Sequence, residues 1–440
     1  MKKILLLLLL VSQIAFTQNT NYNQLDTLLD LLYQNDKIMG SMTILKDGKT
    51  VFEKSVGYQY INDKEKKQST SKTKYRIGSI TKTFTAVMIF QLIDEGKLTL
   101  DTKLFEYFPE VANAKKIEIA HLLNHSSGLF NITADENFNE QEPTTQEKML
   151  SMIAKHDVDF QPGERHEYSN TNFVLLGYIL ERIEKKSYKQ VLEERITKPL
   201  GLKNTYYGSE IDITNNESLS YYYEDDNSLH EAKQAHLSNP GGAGGIVSNP
   251  SDLVVFMNAL FSDKLMSKNS FKIMTTINDE YGSGILSAKK AGLTLFAHNG
   301  RIDFFQSMLV YMPELKTAIA LNANALNYGM MPIMFNAINA SIGEDIEIPS
   351  FKNIDLTSEE LKKYIGTYEC EELPFTLIFK TDGKILKGAP EGSDLKDLKP
   401  TEKDEFALEA LGVILKFDLS AKSLLFSQSG ESQKKCIKKE

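Results

Sequence analysis

Ser79-Ile80-Thr81-Lys82 places a hydroxyl and an amine three residues apart, so on a helix both project from one face. A serine hydroxyl is a weak nucleophile until a neighbouring base takes its proton. Lys82 can be that base once burial or nearby positive charge lowers its pKa. N–H groups at the start of the helix that follows would favour an oxyanion beside Ser79. Two further clusters complete the chemistry of acyl transfer. In Tyr168-Ser169-Asn170 a tyrosine hydroxyl can relay the serine proton toward a leaving group, and an asparagine amide can bond a substrate amide while bracing the lysine. In His298-Asn299-Gly300 the histidine could hold a substrate carboxylate or tune the pair opposite, and the glycine would let substrate approach a strand edge.

Periodicity indicates the elements that must position these groups. Helical patterns cover 82–95, where Gly96 suits the carboxyl end, and 174–185, with Leu175, Leu176, Ile179, Leu180 and Ile183 at helical spacing. Residues 40–59 read as a hairpin turning at Asp47-Gly48. Strand patterns at 304–312 and 316–322 flank Pro313-Glu314. Strands near both ends with helices between predict an α+β domain in which the chain ends share one sheet. Beyond about residue 350 the pattern changes to short β-like runs with a turn at Asp382-Gly383, which predicts a small antiparallel barrel or sandwich. The expected division is 1–17 a signal peptide, 18–348 the catalytic domain and 349–440 an accessory domain.

The signal peptide rests on Lys2 and Lys3, the apolar run 4–11, and small residues before Gln18. That run is too short for a bilayer, which needs ~20 residues. A secreted or periplasmic protein with no stable membrane span after cleavage is the expectation. Net charge is −9, and −11 once Lys2 and Lys3 are removed, which disfavours a nucleic-acid partner. Two cysteines and no His-Glu-x-x-His run leave no basis for a catalytic metal, and no cofactor is expected. Gly241-Gly242-Ala243-Gly244-Gly245 lacks the Gly-Lys-Ser/Thr ending of a phosphate loop and reads as a close-packing loop.

The three clusters, in this order, resemble the nucleophile, middle and strand elements of penicillin-recognising serine enzymes. Arg76-Ile77-Gly78-Ser79-Ile80-Thr81-Lys82-Thr83-Phe84, His121-Leu122-Leu123-Asn124-His125-Ser126-Ser127-Gly128-Leu129, Phe160-Gln161-Pro162-Gly163-Glu164 and Lys198-Pro199-Leu200-Gly201-Leu202 resemble segments of class C β-lactamase-related proteins. The likeness spans roughly residues 40–345. It implies a β-lactamase/transpeptidase-like antiparallel sheet flanked by helices, with Ser79 acylated, Lys82 as base and Tyr168 assisting proton transfer. Asn170, His298, Gly300 and Arg301 would meet the substrate, and the N–H groups of Ser79 and Arg301 would form the oxyanion hole. His298 stands where many relatives have lysine, as in esterase and D-peptidase members. Phe304 stands where glycine is common and could narrow the cleft, and Arg301 could attract a substrate carboxylate. His121 and His125, four apart, are assigned to a structural turn rather than to a metal. The carboxy-terminal part resembles barrel domains appended to such hydrolases, which implies a Cys370–Cys436 disulfide sealing it. The expected activity is hydrolysis of D-amino-acid peptides, β-lactams or small esters, with a D-peptidase or esterase preferred. The alternative is a penicillin-binding sensor or a non-catalytic binding protein with the same fold.

Overall fold

The computed structural model describes residues 21–224, 228–278, 281–428 and 433–439, so the expected signal peptide lies outside the described residues. Contacts group the chain into two compact units, one formed by 38–326 and the other by the chain ends, up to residue 37 and from 327 onward. These bounds differ from the expected division at 348/349. The reason is that helix 21–34 associates with the segment after 326: Asn327 N–H donates to Lys37 O at 2.9 Å, and Asn21 Nδ2 donates to Glu344 O at 3.0 Å.

The 38–326 unit is built on a six-stranded antiparallel sheet. Its strands are β1 (Ile38–Lys46), β2 (Lys49–Val56), β3 (Leu286–Lys290), β4 (Leu293–Ile302), β5 (Phe305–Met312) and β6 (Thr317–Leu326), in the spatial order β3-β4-β5-β6-β1-β2. The β1–β2 turn falls on Asp47 and Gly48, both with positive φ, as the Asp-Gly pair predicts. Strands β1 and β6 pair centrally and are buried almost throughout.

Helix α1 (Thr81–Asp94) is buried on nearly all sides, with Phe84 stacked on Phe256 at 3.7 Å between centroids. Gly96 (φ 70°) follows its end. Helix α2 (Asn170–Glu184) begins directly after Ser169, so Tyr168 and Asn170 sit at its amino-terminal edge.

In the other unit, eight strands from Gly366–Cys370 to Lys434–Lys438 close into an antiparallel barrel in strict sequence order. Tyr368, Phe379, Phe406 and Phe417 fill its interior with edge-to-face rings. Cys370 and Cys436 are register partners on the first and last strands and are joined by a disulfide.

Candidate active site

Ser79 lies in a short 3-10 turn (Gly78–Ile80) that leads straight into α1, so Lys82 sits one turn along on the same face. The Lys82 side chain is fully buried, and among the described residues no carboxylate is a hydrogen-bond partner of it. Burial therefore pushes its pKa well below the usual lysine range. Its Nζ lies 2.8 Å from Asn170 Oδ1, 2.8 Å from Ala243 O and 2.9 Å from Ser79 Oγ. The first two atoms can only accept. A neutral amine spends both its protons on them, which leaves the nitrogen lone pair facing the Ser79 hydroxyl. Tyr168 OH donates to Ser79 Oγ at 2.8 Å, and desolvation around its hydroxyl raises its pKa, so it stays protonated. Serine thus receives hydrogen bonds from Tyr168 and from Lys82, and it can give its proton to Lys82 once the amine is neutral.

Asn170 braces the lysine as expected and donates through Nδ2 to Thr133 Oγ1 at 3.2 Å. Ala243, from the glycine-rich loop, supplies the other brace on Lys82. That loop packs closely, as anticipated: a Cβ on Gly242 would lie 2.7 Å from Phe173 O.

Gly300 is needed for a different reason from the one expected. A Cβ there would come within 1.9 Å of Ile77 O and 2.9 Å of Ser79 N, so the glycine admits the nucleophile loop itself rather than substrate. A Cβ on Gly78 would lie 2.8 Å from Arg301 N. The Ser79 and Arg301 amides therefore sit where these two segments meet. Ser79, Asn170 and Arg301 line a cleft of about 140 Å³ together with Ile132, Phe138 and Ile302.

His298 does not offer itself to a carboxylate. It is 2% exposed, and both ring nitrogens are occupied inside the protein, so of its two anticipated roles only the tuning one fits. Asn299 O accepts at 2.7 Å from Nδ1, which assigns the proton to that nitrogen. Nε2 then accepts from Tyr281 OH at 3.3 Å. On the other side, Ser169 N–H points at His125 Nδ1 (3.2 Å), so His125 carries its proton on Nε2 and donates to Tyr281 Oη at 3.2 Å. A one-way chain therefore links the Tyr168-Ser169-Asn170 wall to the His298-Asn299-Gly300 wall. His125 also lies against the Tyr168 ring, 4.4 Å between centroids. Its φ of 57° agrees with the structural turn expected there. Sequence reasoning missed Tyr281 and the bridging role of His125, since Tyr281 belongs to no motif.

Burial lowers the His298 pKa to about 3, with the charge of Lys82 acting in the same direction, and also pulls His125 well below the usual range. The unfolded chain takes up a proton at His298 as pH falls through about 6.5, whereas the native state does not until near its own pKa. Native stability is therefore lost on acidification below about 6.5. At about pH 5 the His298 contribution reaches about 2 kcal/mol. Urea unfolding of wild type and His298→Gln at about pH 7.5 and about pH 5 checks this. The gap between the two should shift by that amount in favour of the variant at the lower pH, and a constant gap would contradict it.

The Beta-lactamase family profile matches residues 30–337. Penicillin-binding protein 4* of Bacillus subtilis (strain 168) is 25% identical over 441 residues, covering 93% of this chain and 97% of that protein. Among solved structures, a D-stereospecific amidohydrolase from Streptomyces sp. superposes with a TM-score of 0.62 at 27% identity, covering 74% of this chain and 98% of the other. D-amino acid amidase from Ochrobactrum anthropi SV3, in complex with D-phenylalanine, superposes with a TM-score of 0.63 at 25% identity, covering 70% and 92%. With a buried lysine and a tyrosine both in hydrogen-bond contact with the serine on that fold, this chain belongs to the β-lactamase and penicillin-binding-protein family of serine hydrolases.

Proposed function

We propose that this chain is an exported D-peptidase or esterase that works through an acyl-enzyme on Ser79. The observation that carries the reading is the fully buried Lys82 amine lying 2.9 Å from Ser79 Oγ, with Asn170 Oδ1 and Ala243 O as its other partners. Ser79 Oγ attacks the substrate carbonyl while its proton passes to Lys82 Nζ. The developing oxyanion is received by the N–H groups of Ser79 and Arg301; losing one such donor typically costs ~3 kcal/mol. Tyr168 gives its proton to the departing nitrogen or oxygen and is recharged from the Lys82 ammonium, which lies 4.9 Å from the ring centroid. Water then attacks the ester by the same route in reverse.

The choice of D-amino-acid substrates is supported by the D-stereospecific amidohydrolase and D-amino acid amidase among the structural neighbours. Export is supported by the basic start, apolar run and small residues of 1–17. Among the described residues no helix is long and apolar enough to cross a membrane.

The test compares mature protein with Ser79→Ala on p-nitrophenyl esters, D-Ala-D-Ala peptides and a fluorescent penicillin, following turnover and adduct mass together. Wild type should gain an adduct on Ser79 and turn over, with both lost in the variant. Turnover that survives Ser79→Ala ends the mechanism. Labelling without turnover on any substrate replaces it with a penicillin-binding sensor.

A further inference from the structure

The turn between β4 and β5 contains Asp303 (φ 50°) and Phe304 (φ 66°). Left-handed backbone suits Asp but is disfavoured for an aromatic residue. Nothing in the turn requires that aromatic. Asp303 alone locks it: Oδ2 accepts from Arg76 Nη1 at 2.6 Å in a buried ion pair, Oδ1 accepts from Ala235 N–H at 2.7 Å, and its carbonyl accepts from Ser220 Oγ. Burial does not compensate either, since Phe304 is 43% exposed. The ring instead stacks on Tyr222, with centroids 4.9 Å apart and planes at 28°. Tyr222 stacks in turn on His230. The Arg301 guanidinium lies 5.6 Å from the Phe304 centroid, and among the described residues it has no hydrogen-bond or ion-pair partner. Arg301 and Ile302 line the same cleft as Ser79.

The geometry points to a substrate subsite in which Arg301 binds a carboxylate and the Phe304–Tyr222 face takes an adjacent aromatic group, as in a peptide ending in an aromatic residue. A guanidinium with free donors matches a carboxylate in charge and in fork geometry. An exposed pair of stacked rings adds a third ring by offset or edge contact. Strain kept at an exposed turn beside a catalytic cleft accords with a functional constraint rather than a folding one. The subsite names a substrate class for the hydrolase proposed above and rests on that reading.

The test is calorimetric binding to the full chain carrying Ser79→Ala, which holds substrate without cleaving it. The probes are D-alanyl-D-phenylalanine, D-alanyl-D-alanine and D-alanyl-D-phenylalanine amide. The first should bind about tenfold more tightly than either of the others, one factor from the ring and one from the carboxylate. Adding Phe304→Gly should abolish the ring preference, keep the carboxylate preference and leave the melting temperature equal or higher, because glycine accepts this φ. Adding Arg301→Gln should do the reverse to the two preferences. The subsite is overturned if the aromatic dipeptide shows no binding or no ring preference, or if that preference survives both Phe304→Gly and Tyr222→Leu. Selective binding with no turnover by the Ser79 enzyme would keep the subsite and remove the hydrolase reading. Turnover without selectivity would do the opposite.

Discussion

Lys82→Met should slow acylation of Ser79 by about 10³- to 10⁴-fold while the protein stays folded, because methionine fills a similar space without the amine. The magnitude follows from the task. Once Lys82 is neutral, Asn170 Oδ1 and Ala243 O take its two protons, and among the described residues its lone pair is then the base the serine hydroxyl meets, since Tyr168 itself donates to Oγ. Lys82→Arg should not rescue, because a guanidinium does not lose its proton in a protein. The pH dependence has a definite sign. Neutral Lys82 is the active form, so acylation is lost as pH falls through its native pKa, and burial places that limb well below 10.5. Quenched-flow labelling with a fluorescent penicillin across pH reads all three outcomes. Arginine activity within tenfold of wild type would show that another group takes the proton.

The second large effect concerns the barrel. Opening the Cys370–Cys436 bond frees a loop with a sequence separation of 66 residues, for which chain entropy alone predicts about 4 kcal/mol of lost stability. The double substitution Cys370→Ser, Cys436→Ser should therefore cut hydrogen-exchange protection in Gly366–Cys370 and Lys434–Lys438 by about 10³-fold. Those two strands are hydrogen-bonded neighbours, so they report on closure directly. Alkylation followed by intact mass should find two reactive thiols only after reduction. Unchanged protection in the variant would show that the ring of aromatic residues holds the barrel by itself.

What could be read without coordinates was local chemistry. Ser79 and Lys82 are three apart on a helix, Tyr168 and Asn170 open the next long one, and Asp47-Gly48 and Asp382-Gly383 are pairs that turn hairpins. Periodicity points to an α+β domain whose ends share one sheet and to a small barrel or sandwich beyond it, and the family resemblance to the antiparallel sheet flanked by helices. What escaped notice depends on contacts between distant positions. Tyr281 meets His125 across 156 residues, and Arg76 meets Asp303 across 227. No spacing rule pairs such positions. Gly300 shows the same limit: its residue type called for a close approach, but only the fold reveals that the approaching atoms are Ile77 O and Ser79 N.

The pairing of β1 with β6 also governs how the enzyme comes into being. Ile38–Lys46 cannot find its partner until Thr317–Leu326 has been synthesised, so the central ladder of the catalytic sheet is a late event on the ribosome. Each barrel strand, by contrast, waits only for its immediate successor until the final closure. A nascent chain thus carries Ser79 and Lys82 long before the six-stranded sheet is complete. Catalytic competence waits for Thr317–Leu326, which keeps a reactive serine idle while the residues before that strand are still being made.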